Sequence, residues 1–346
     1  MTPRTPTEPE TSDEPEGRGG HVHVRARRAP RAPRRVPTAA QRENRAGLAF
    51  VTPTLLVVLV VVVLPIAWTV LLAFQDARLI DIQGMGLFGH WTTDNFRAVF
   101  GSPGFWTSLT TTLVYAAGGT AGSVLLGLVA ALALRGPFRG RGPLRAAMLL
   151  PYVAPVVAVA FVWQVALSPQ YGIVGEWGRR FLGWDRPIAF LTTRDHEVSV
   201  AGVEFEVPLA LLTVIAFETW RYFPFAFLFL LARLQAVPGT LEEAATVDGA
   251  TVSQRFRHVL LPQLMPVIAL LSVLRFIMTF NKFDDVYLLT GGGAGTEVVA
   301  VRVYEFLTAR YDVGAAAAQA LVLAVVLMGL LGLYFAFFAD RTGEEA

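Results

Sequence analysis

The sequence predicts an all-α integral membrane protein with six transmembrane helices. Of its 346 residues, 54% are hydrophobic and only 16% are charged, whereas a soluble domain carries roughly 25% charged residues. Its mean hydropathy is +0.50, and its apolar residues are gathered into runs that each reach the length of about 20 residues needed to cross a bilayer. This composition excludes an ordinary soluble enzyme.

The first 45 residues form a region of their own. Residues 1–45 contain seven prolines, ten arginines and six acidic residues. A segment with so few large apolar side chains cannot bury enough surface to offset the entropy that it loses on ordering. We therefore expect a disordered cytoplasmic tail, in which His21 and His23 are solvated side chains rather than metal ligands.

Residues 46–340 form the predicted transmembrane domain. The first apolar run is too long and too far from the N-terminus for a signal peptide, so we interpret it as an uncleaved anchor. Gly118 and Gly122 lie four residues apart in the second run and favour close packing against another helix. Five prolines are expected to bend or break their spans: Pro53, Pro65, Pro151, Pro155 and Pro224. The six spans are expected at residues 48–74, 105–134, 144–167, 208–231, 264–281 and 315–338.

The distribution of basic residues predicts the orientation. With the tail inside the cell, the inside segments carry 18 basic residues and the outside segments carry 9, and an excess of arginine marks the cytoplasmic side. Both termini are therefore expected in the cytoplasm. Residues 168–207 are expected to form a long extracytoplasmic loop.

Residues 238–262 are too densely charged to cross lipid. Thr240 and Glu243 have the spacing of a capping box, which predicts a short helix. Asp248-Gly249 predicts a turn, and a second amphipathic helix is expected to end at Pro262. The spacing alone leaves two readings open, a helix–turn–helix that another protein contacts and a linker that rests on lipid headgroups.

Residues 238–262, here called the coupling segment, resemble the EAA signature of the membrane subunits of bacterial ABC importers. The matching residues are Glu243, Ala244, Ala245, Asp248, Gly249 and Ala250, followed by Phe256, Val259, Leu261, Pro262 and Pro266. The flanking stretches 234–238 and 283–293 are similar to the carbohydrate branch, which includes the larger maltose-transporter subunit and the trehalose and glycerol-phosphate permeases. The resemblance covers residues 46–340, and Ala294 stands where many relatives have proline.

This resemblance implies the permease fold of a type I ABC importer with cytoplasmic coupling helices. It implies a bacterial plasma-membrane permease that moves a sugar or oligosaccharide by alternating access. By this resemblance, the residues that couple the permease to its ATPase are Glu243, Ala244, Ala245, Asp248, Gly249 and Ala250. The implied partners are a second homologous permease, two ATP-binding subunits that hold ATP and magnesium, and an extracytoplasmic solute-binding protein.

The sequence also limits the chemistry of the chain. Its single lysine, Lys282, does not follow a glycine-rich loop, so no phosphate-binding loop is present, and the chain contains no cysteine. All five histidines lie outside the predicted spans, and Glu218 is the only acid inside them. This argues against an intramembrane protease. We expect no enzyme activity, no cofactor, no metal and no nucleic-acid partner on this chain. A channel or receptor scaffold that works without an ATPase stays open as an alternative.

Polar residues inside two spans are candidates for the substrate pathway, because such residues usually face a cavity or a partner. Ser272, Arg275, Thr279 and Lys282 share one helical stripe of the fifth span, and the fourth span contributes Glu218, Arg221 and Tyr222. Family analogy adds Asn281. The alternative is a buried ion pair of Glu218 with Arg221 or Arg275 that only fixes helix packing. The cations also leave open an anionic polyol such as glycerol phosphate.

Overall fold

The computed structural model of the protein describes residues 39–80, 90–200 and 203–342. Residues 1–38 of the expected tail lie outside the described residues, whereas residues 39–45 are helical. The chain divides into two compact units, Met1–Val58 and Leu59–Ala346. The described part of the first unit is one helix, α1 (Ala39–Val58).

The second unit consists of helices and one β-hairpin. It begins with a π-helical turn, Leu59–Val63, and contains a second one, Phe256–Leu260. The other elements are α2 (Leu64–Ala73), α3 (Asp94–Phe100), α4 (Pro103–Leu134), α5 (Arg141–Met148), α6 (Leu150–Val153), α7 (Val156–Ala166), α8 (Ile173–Leu182), β1 (Asp195–Val200), β2 (Val203–Pro208), α9 (Leu209–Ala236), α10 (Gly239–Val247), α11 (Val252–Arg255), α12 (Leu261–Phe280), α13 (Asp284–Thr290), α14 (Val299–Thr308) and α15 (Val313–Thr342).

Five described helices are long and apolar enough to cross a membrane. They are Leu48–Ala73, Pro103–Leu134, Leu209–Ala236, Val252–Phe280 and Val313–Ala336. The expected span at 144–167 is instead two helical pieces, Arg141–Val153 and Val156–Ala166, which meet at 93°. Ala154 is extended (ψ 143°) and precedes Pro155, as expected because proline disfavours a helical conformation in the residue before it. The count reaches six only if this bent pair is one span.

The close packing expected of the second span is confirmed. A Cβ on Gly122 would lie 2.2 Å from the Thr219 hydroxyl oxygen, and one on Gly118 would lie 3.1 Å from Ile215 of α9. The side chains of Thr219 and Ile215 therefore pack directly against the α4 backbone at these two glycines. Buried apolar residues of α4, α9 and α12 fill the adjacent core, among them Val124, Phe227, Leu230, Leu264 and Leu271.

The helix of the fifth span is longer than predicted. It begins at Val252 and runs to Phe280, so the expectation that Pro262 ends a separate helix is wrong. Proline lacks the N–H that an interior helical turn requires. Here the π-helical turn Phe256–Leu260 immediately precedes the first turn of α12, where Pro262 lies, and so the helix continues through the proline.

The predicted capping box is also misplaced. Helix α10 begins at Gly239 after Pro238, and no side chain caps it, because Thr240 already lies within its first turn. The capping box forms one helix later, where Gln254 N donates to Thr251 Oγ1 over 3.4 Å and Thr251 N donates to Gln254 Oε1 over 2.8 Å.

Residues 168–207 contain structure that the sequence did not predict. The described part holds α8 and an antiparallel hairpin in which Asp195 pairs with Pro208 and Val200 with Val203. Because α9 begins directly after this hairpin and ends directly before the coupling segment, the two lie at opposite ends of α9.

Candidate functional site

A buried network, here called the polar cluster, joins α4, α9, α12 and α13. It consists of Tyr115, Glu218, Tyr222, Arg275, Thr279, Lys282 and Asp285. At its centre Arg275 Nη2 lies 2.5 Å from Glu218 Oε1, and the two side chains are 1% and 0% exposed. A buried ion pair is maintained only if further hydrogen bonds satisfy its remaining polar atoms.

Neighbouring helices supply those bonds. Thr279 donates to Glu218 Oε1 over 3.0 Å and accepts from Arg275 over 3.1 Å. Tyr115 donates to Glu218 Oε2 over 3.2 Å, and Arg275 Nε lies 3.5 Å from Ser123 Oγ. Tyr115, Arg275 and Thr279, which lie far from Glu218 in the sequence, therefore hold its carboxylate in place.

Glycine at position 119 makes room for this arrangement. A Cβ there would lie 2.8 Å from Glu218 Cγ and 3.3 Å from Thr279 Cγ2. A side chain on this face of α4 would displace the carboxylate from its position between the helices. Gly119 is thus part of the construction of the polar cluster, although it bears no functional group.

Two cations of the polar cluster contact the ring of Tyr222. The guanidinium carbon of Arg275 lies 4.2 Å from the ring centroid and Lys282 Nζ lies 4.3 Å from it. Lys282 also donates to the Tyr222 hydroxyl. Cations over an aromatic face are stabilised by its quadrupole, so Tyr222 stabilises both positive charges.

Asp285 adds a second acid beside Glu218. It is fully buried, and its carboxylate lies 3.7 Å from Lys282 Nζ. Burial and the neighbouring Glu218 carboxyl raise the pKa of Asp285 to about 9, against the opposing effect of Lys282. Burial alone would lower the pKa of Lys282, but Asp285 and Glu218 raise it above its ordinary value. At neutral pH Asp285 therefore holds a proton and Lys282 is charged.

The structure brings only some of the predicted pathway residues together. Glu218 pairs with Arg275, and the expected contact with Arg221 does not form, because Arg221 Nη1 donates instead to the carbonyl oxygen of Ala154 over 3.3 Å. Asn281 is exposed and donates to the carbonyl oxygen of Ile277 over 2.9 Å. Ser272 lines a different, apolar cavity between α4, α12 and α15.

Two members of the polar cluster and two residues of α4 that adjoin it were missed. They are Tyr115, Gly119, Ser123 and Asp285. The first three follow a spacing of four residues along α4 (Tyr115, Gly119, Ser123), which places them on one face, and this spacing is a signal that the sequence does contain. Asp285 lies outside every predicted span, so nothing local indicated that it would be buried.

The coupling segment presents two unlike faces. Glu242 points toward the protein and forms a bidentate ion pair with Arg135 at the end of α4, with N–O distances of 2.7 and 2.8 Å. Arg255 donates to Thr246 over 2.8 Å and ties α11 to α10. These contacts fix α10 against the body of the second unit.

The opposite face is exposed. Glu243, Ala244, Asp248 and Gly249 are all exposed, and Val247 is 88% exposed. Gly249 has φ +76°, and its N–H donates to the carbonyl oxygen of Thr246 over 3.1 Å. The turn thus requires a left-handed residue, which glycine adopts without strain. Ala245 and Ala250 are half-buried behind it.

Comparison with known proteins identifies the family of this chain. Residues 123–342 match the family described as binding-protein-dependent transport system inner membrane component. The Inner membrane ABC transporter permease protein YcjO of Escherichia coli K12 is 37% identical over 238 residues, or 68% of this chain and 76% of that one. The Trehalose/maltose transport system permease protein MalF of Thermococcus litoralis is 32% identical over 268 residues, or 77% and 83% of the two chains.

A solved structure shares the fold. It is that of a bacterial ABC transporter involved in the import of the acidic polysaccharide alginate, with a TM-score of 0.67, 23% identity and coverage of 85% of this chain and 96% of that one. The family match and these relatives confirm the predicted resemblance of the chain to the permease subunits of ABC importers. The protein is a multi-pass membrane protein that belongs to the family of binding-protein-dependent transport system inner membrane components.

Proposed function

We propose that this chain is the membrane-spanning permease of an ATP-driven importer that moves a sugar or oligosaccharide by alternating access. The family match supports an importer that works with a binding protein. The name of the Thermococcus litoralis relative, a trehalose and maltose permease, supports a carbohydrate as the substrate. An anionic polyol such as glycerol phosphate is the competing substrate class.

The observation that carries the coupling role is the exposed face of the coupling segment. Val247 and Ala244 leave apolar surface uncovered beside a turn whose other side is fixed by Glu242 and Arg135. A rigid turn with small residues can enter a groove of a partner protein. Closure of an ATPase dimer would then move this turn and, with it, the helices on either side.

The proposed assembly contains this chain, a second homologous permease, two ATP-binding subunits and an extracytoplasmic solute-binding protein. ATP and magnesium are bound by the ATP-binding subunits, and this chain catalyses no reaction. The arginine distribution supports an orientation with both termini in the cytoplasm of the bacterium. In this orientation the coupling segment faces the cytoplasm and the loop at 168–207 faces outward.

The polar cluster is the proposed point on the substrate pathway. Its hydroxyl, carboxyl and guanidinium groups can exchange their present partners for sugar hydroxyls, and the Tyr222 ring can stack on a sugar face. Of the predicted pathway residues, Arg275, Thr279, Glu218 and Tyr222 belong to it, whereas Arg221 and Asn281 bond to carbonyl oxygens outside it. In the described conformation Glu218 and Arg275 are paired and inaccessible, so this conformation is closed at the pathway.

The coupling role is tested with Gly249→Val and a matched control, Gly136→Val. Neither glycine has an atom within 4 Å of an added Cβ, but only Gly249 has positive φ. In vesicles with the complete transporter, we expect Gly249→Val to abolish uptake while membrane insertion persists, and Gly136→Val to transport normally. Normal uptake by Gly249→Val would refute the coupling role.

Substrate and energy source are tested by uptake in the same vesicles. Labelled disaccharides and glycerol phosphate are compared, each with its binding protein and with or without ATP inside. The proposal expects ATP-dependent uptake of a disaccharide that unlabelled disaccharide suppresses. Uptake that persists without ATP would favour a channel, and selective uptake of glycerol phosphate would favour the anionic class.

A further inference from the structure

Helix α8 has three sides of different character. One side carries Ile173, Trp177 and Phe181, spaced four residues apart and 53%, 60% and 72% exposed. A second side is formed by Gly175 and Gly178, which are buried. The third side is polar, with Glu176, Arg179 and Arg180. A helix with one apolar, one protein-facing and one charged side suits a location where protein, lipid and water meet.

The glycine side fixes how the helix is rotated. A Cβ on Gly178 would lie 1.9 Å from the ring of Trp184, and one on Gly175 would lie 3.6 Å from Pro187. The loop that follows α8 therefore packs directly against its backbone. Only the glycine side of α8 leaves room for Trp184, so α8 cannot rotate to present another side to this loop. Its apolar side is therefore held outward.

The position of α8 along the chain places it near the membrane boundary. Only six residues separate it from the end of α7 at Ala166, and they turn tightly, since Gly172 N donates to the carbonyl oxygen of Ser168 over 2.8 Å. The last turns of α7 expose Phe161 (65%) and Val162 (62%). The apolar side of α8 thus begins within a short distance of apolar surface that lipid is expected to cover.

The charges of α8 fit a phospholipid surface. Arg179 pairs with Glu176, whereas Arg180 makes no ion pair among the described residues and lies 5.8 Å from the Phe181 ring. Tryptophan with arginine beside it is typical of side chains at the level of lipid headgroups.

We propose that α8 is an interfacial helix that lies in the leaflet opposite the coupling segment. Ile173, Trp177 and Phe181 insert between the headgroups and the first acyl carbons, and Arg180 binds lipid phosphate. The helix thereby anchors the loop between α7 and α9 to the membrane surface. This inference requires only that the chain spans a bilayer, and it does not depend on the substrate or on the coupling role.

The absence of cysteine from the sequence makes a direct test possible. Single cysteines at Ile173 and Phe181 leave Trp177 in place, and Glu176→Cys is the matched control on the polar side. Each variant of the full transporter is spin-labelled and reconstituted in bilayers of phosphatidylethanolamine and phosphatidylglycerol. Collisions with oxygen, which concentrates in lipid, are compared with collisions with a water-soluble nickel chelate.

Labels at 173 and 181 should collide mainly with oxygen at a depth of about 5–10 Å below the phosphates, and the label at 176 mainly with nickel. Preferential nickel contact at 173 and 181 would overturn the proposal, because the apolar side would then face water. Immobile labels shielded from both reagents would overturn it as well, since a second permease or the binding protein would then cover this side. Each variant is scored only where its complex is intact by size-exclusion chromatography, and the two positions test the proposal separately.

Discussion

Removing the two charges at the centre of the polar cluster, singly and together, should reveal how they are coupled. Leaving one member of a buried ion pair without its partner costs about 3–5 kcal/mol. Glu218→Leu should approach this value, because Arg275 then keeps only hydroxyl groups and the Tyr222 ring as partners, and Lys282 contacts the same ring. Arg275→Met should cost less, since Glu218 still accepts from Tyr115 and Thr279.

The double variant Glu218→Leu/Arg275→Met removes both charges. It leaves the hydroxyls of Tyr115 and Thr279 without their acceptor, at about 1–3 kcal/mol each, but no charge is stranded. The loss should therefore be smaller than the sum of the single losses by about 2 kcal/mol or more. The measurement is the denaturation midpoint of the purified protein in mixed micelles. Additive effects, or two single variants within about 0.5 kcal/mol of the native chain, would refute this account of the pair.

Uptake by the same double variant separates the two interpretations of the pair. A folded double variant that still transports would show that Glu218 and Arg275 serve packing alone. A folded double variant that inserts, binds its ATPase and fails to transport would assign these side chains to the pathway. Membrane insertion and ATPase binding are therefore measured alongside uptake.

Three further outcomes follow from the described contacts. Burial raises the pKa of Asp285 to about 9, so between about pH 4 and pH 9 the unfolded chain loses a proton that the folded chain keeps. The free energy of unfolding should therefore fall as pH rises through this range. Asp285→Asn should flatten that part of the profile of melting temperature against pH. Arg135→Glu and Glu242→Arg break a pair whose side chains are 35% and 25% exposed, so each should lower uptake roughly five-fold, equivalent to about 1 kcal/mol. The charge-swapped double variant should recover part of this uptake. Uptake equal to that of the native chain in all three variants would exclude a role in coupling. Gly122→Val places a side chain where a Cβ would lie 2.2 Å from a hydroxyl oxygen of α9, so it should lower the yield of folded protein several-fold, whereas Gly136→Val should not.

The spans and the coupling segment could be predicted because their signals are local. An apolar run long enough to cross lipid needs no knowledge of its neighbours, and Gly118 and Gly122 indicate a contact face through their spacing alone. The position of the turn at Gly249 follows in the same way from two adjacent residues. Where a local rule was overridden, as at Pro262, the cause was a π-helical turn that no propensity indicates.

The polar cluster could be predicted only in part, because its contacts are tertiary. Helical spacing gives the neighbours of Glu218 on its own helix and therefore suggested Arg221, with Arg275 of the next span as the alternative. The actual partner, Arg275, lies 57 residues further along the chain, and only the packing of α9 against α12 brings it near. Asp285 follows a span and carries a charge, which locally indicates exposure, yet the fold buries it completely.

The polar cluster and the coupling segment are joined by two continuous helices. Helix α9 runs from Glu218 to Ala236, two residues before Pro238, about 27 Å at 1.5 Å per residue. The helix Val252–Phe280 returns from the capping box at Thr251 to Arg275, about 35 Å. We expect a displacement of the coupling segment that moves its two ends unequally to shift Glu218 relative to Arg275. We expect such a shear to weaken the pair, whose atoms lie 2.5 Å apart, and to make its polar groups available at that moment. In the proposed mechanism, the charges that are paired in the described conformation are the groups that the moving helices release to a substrate.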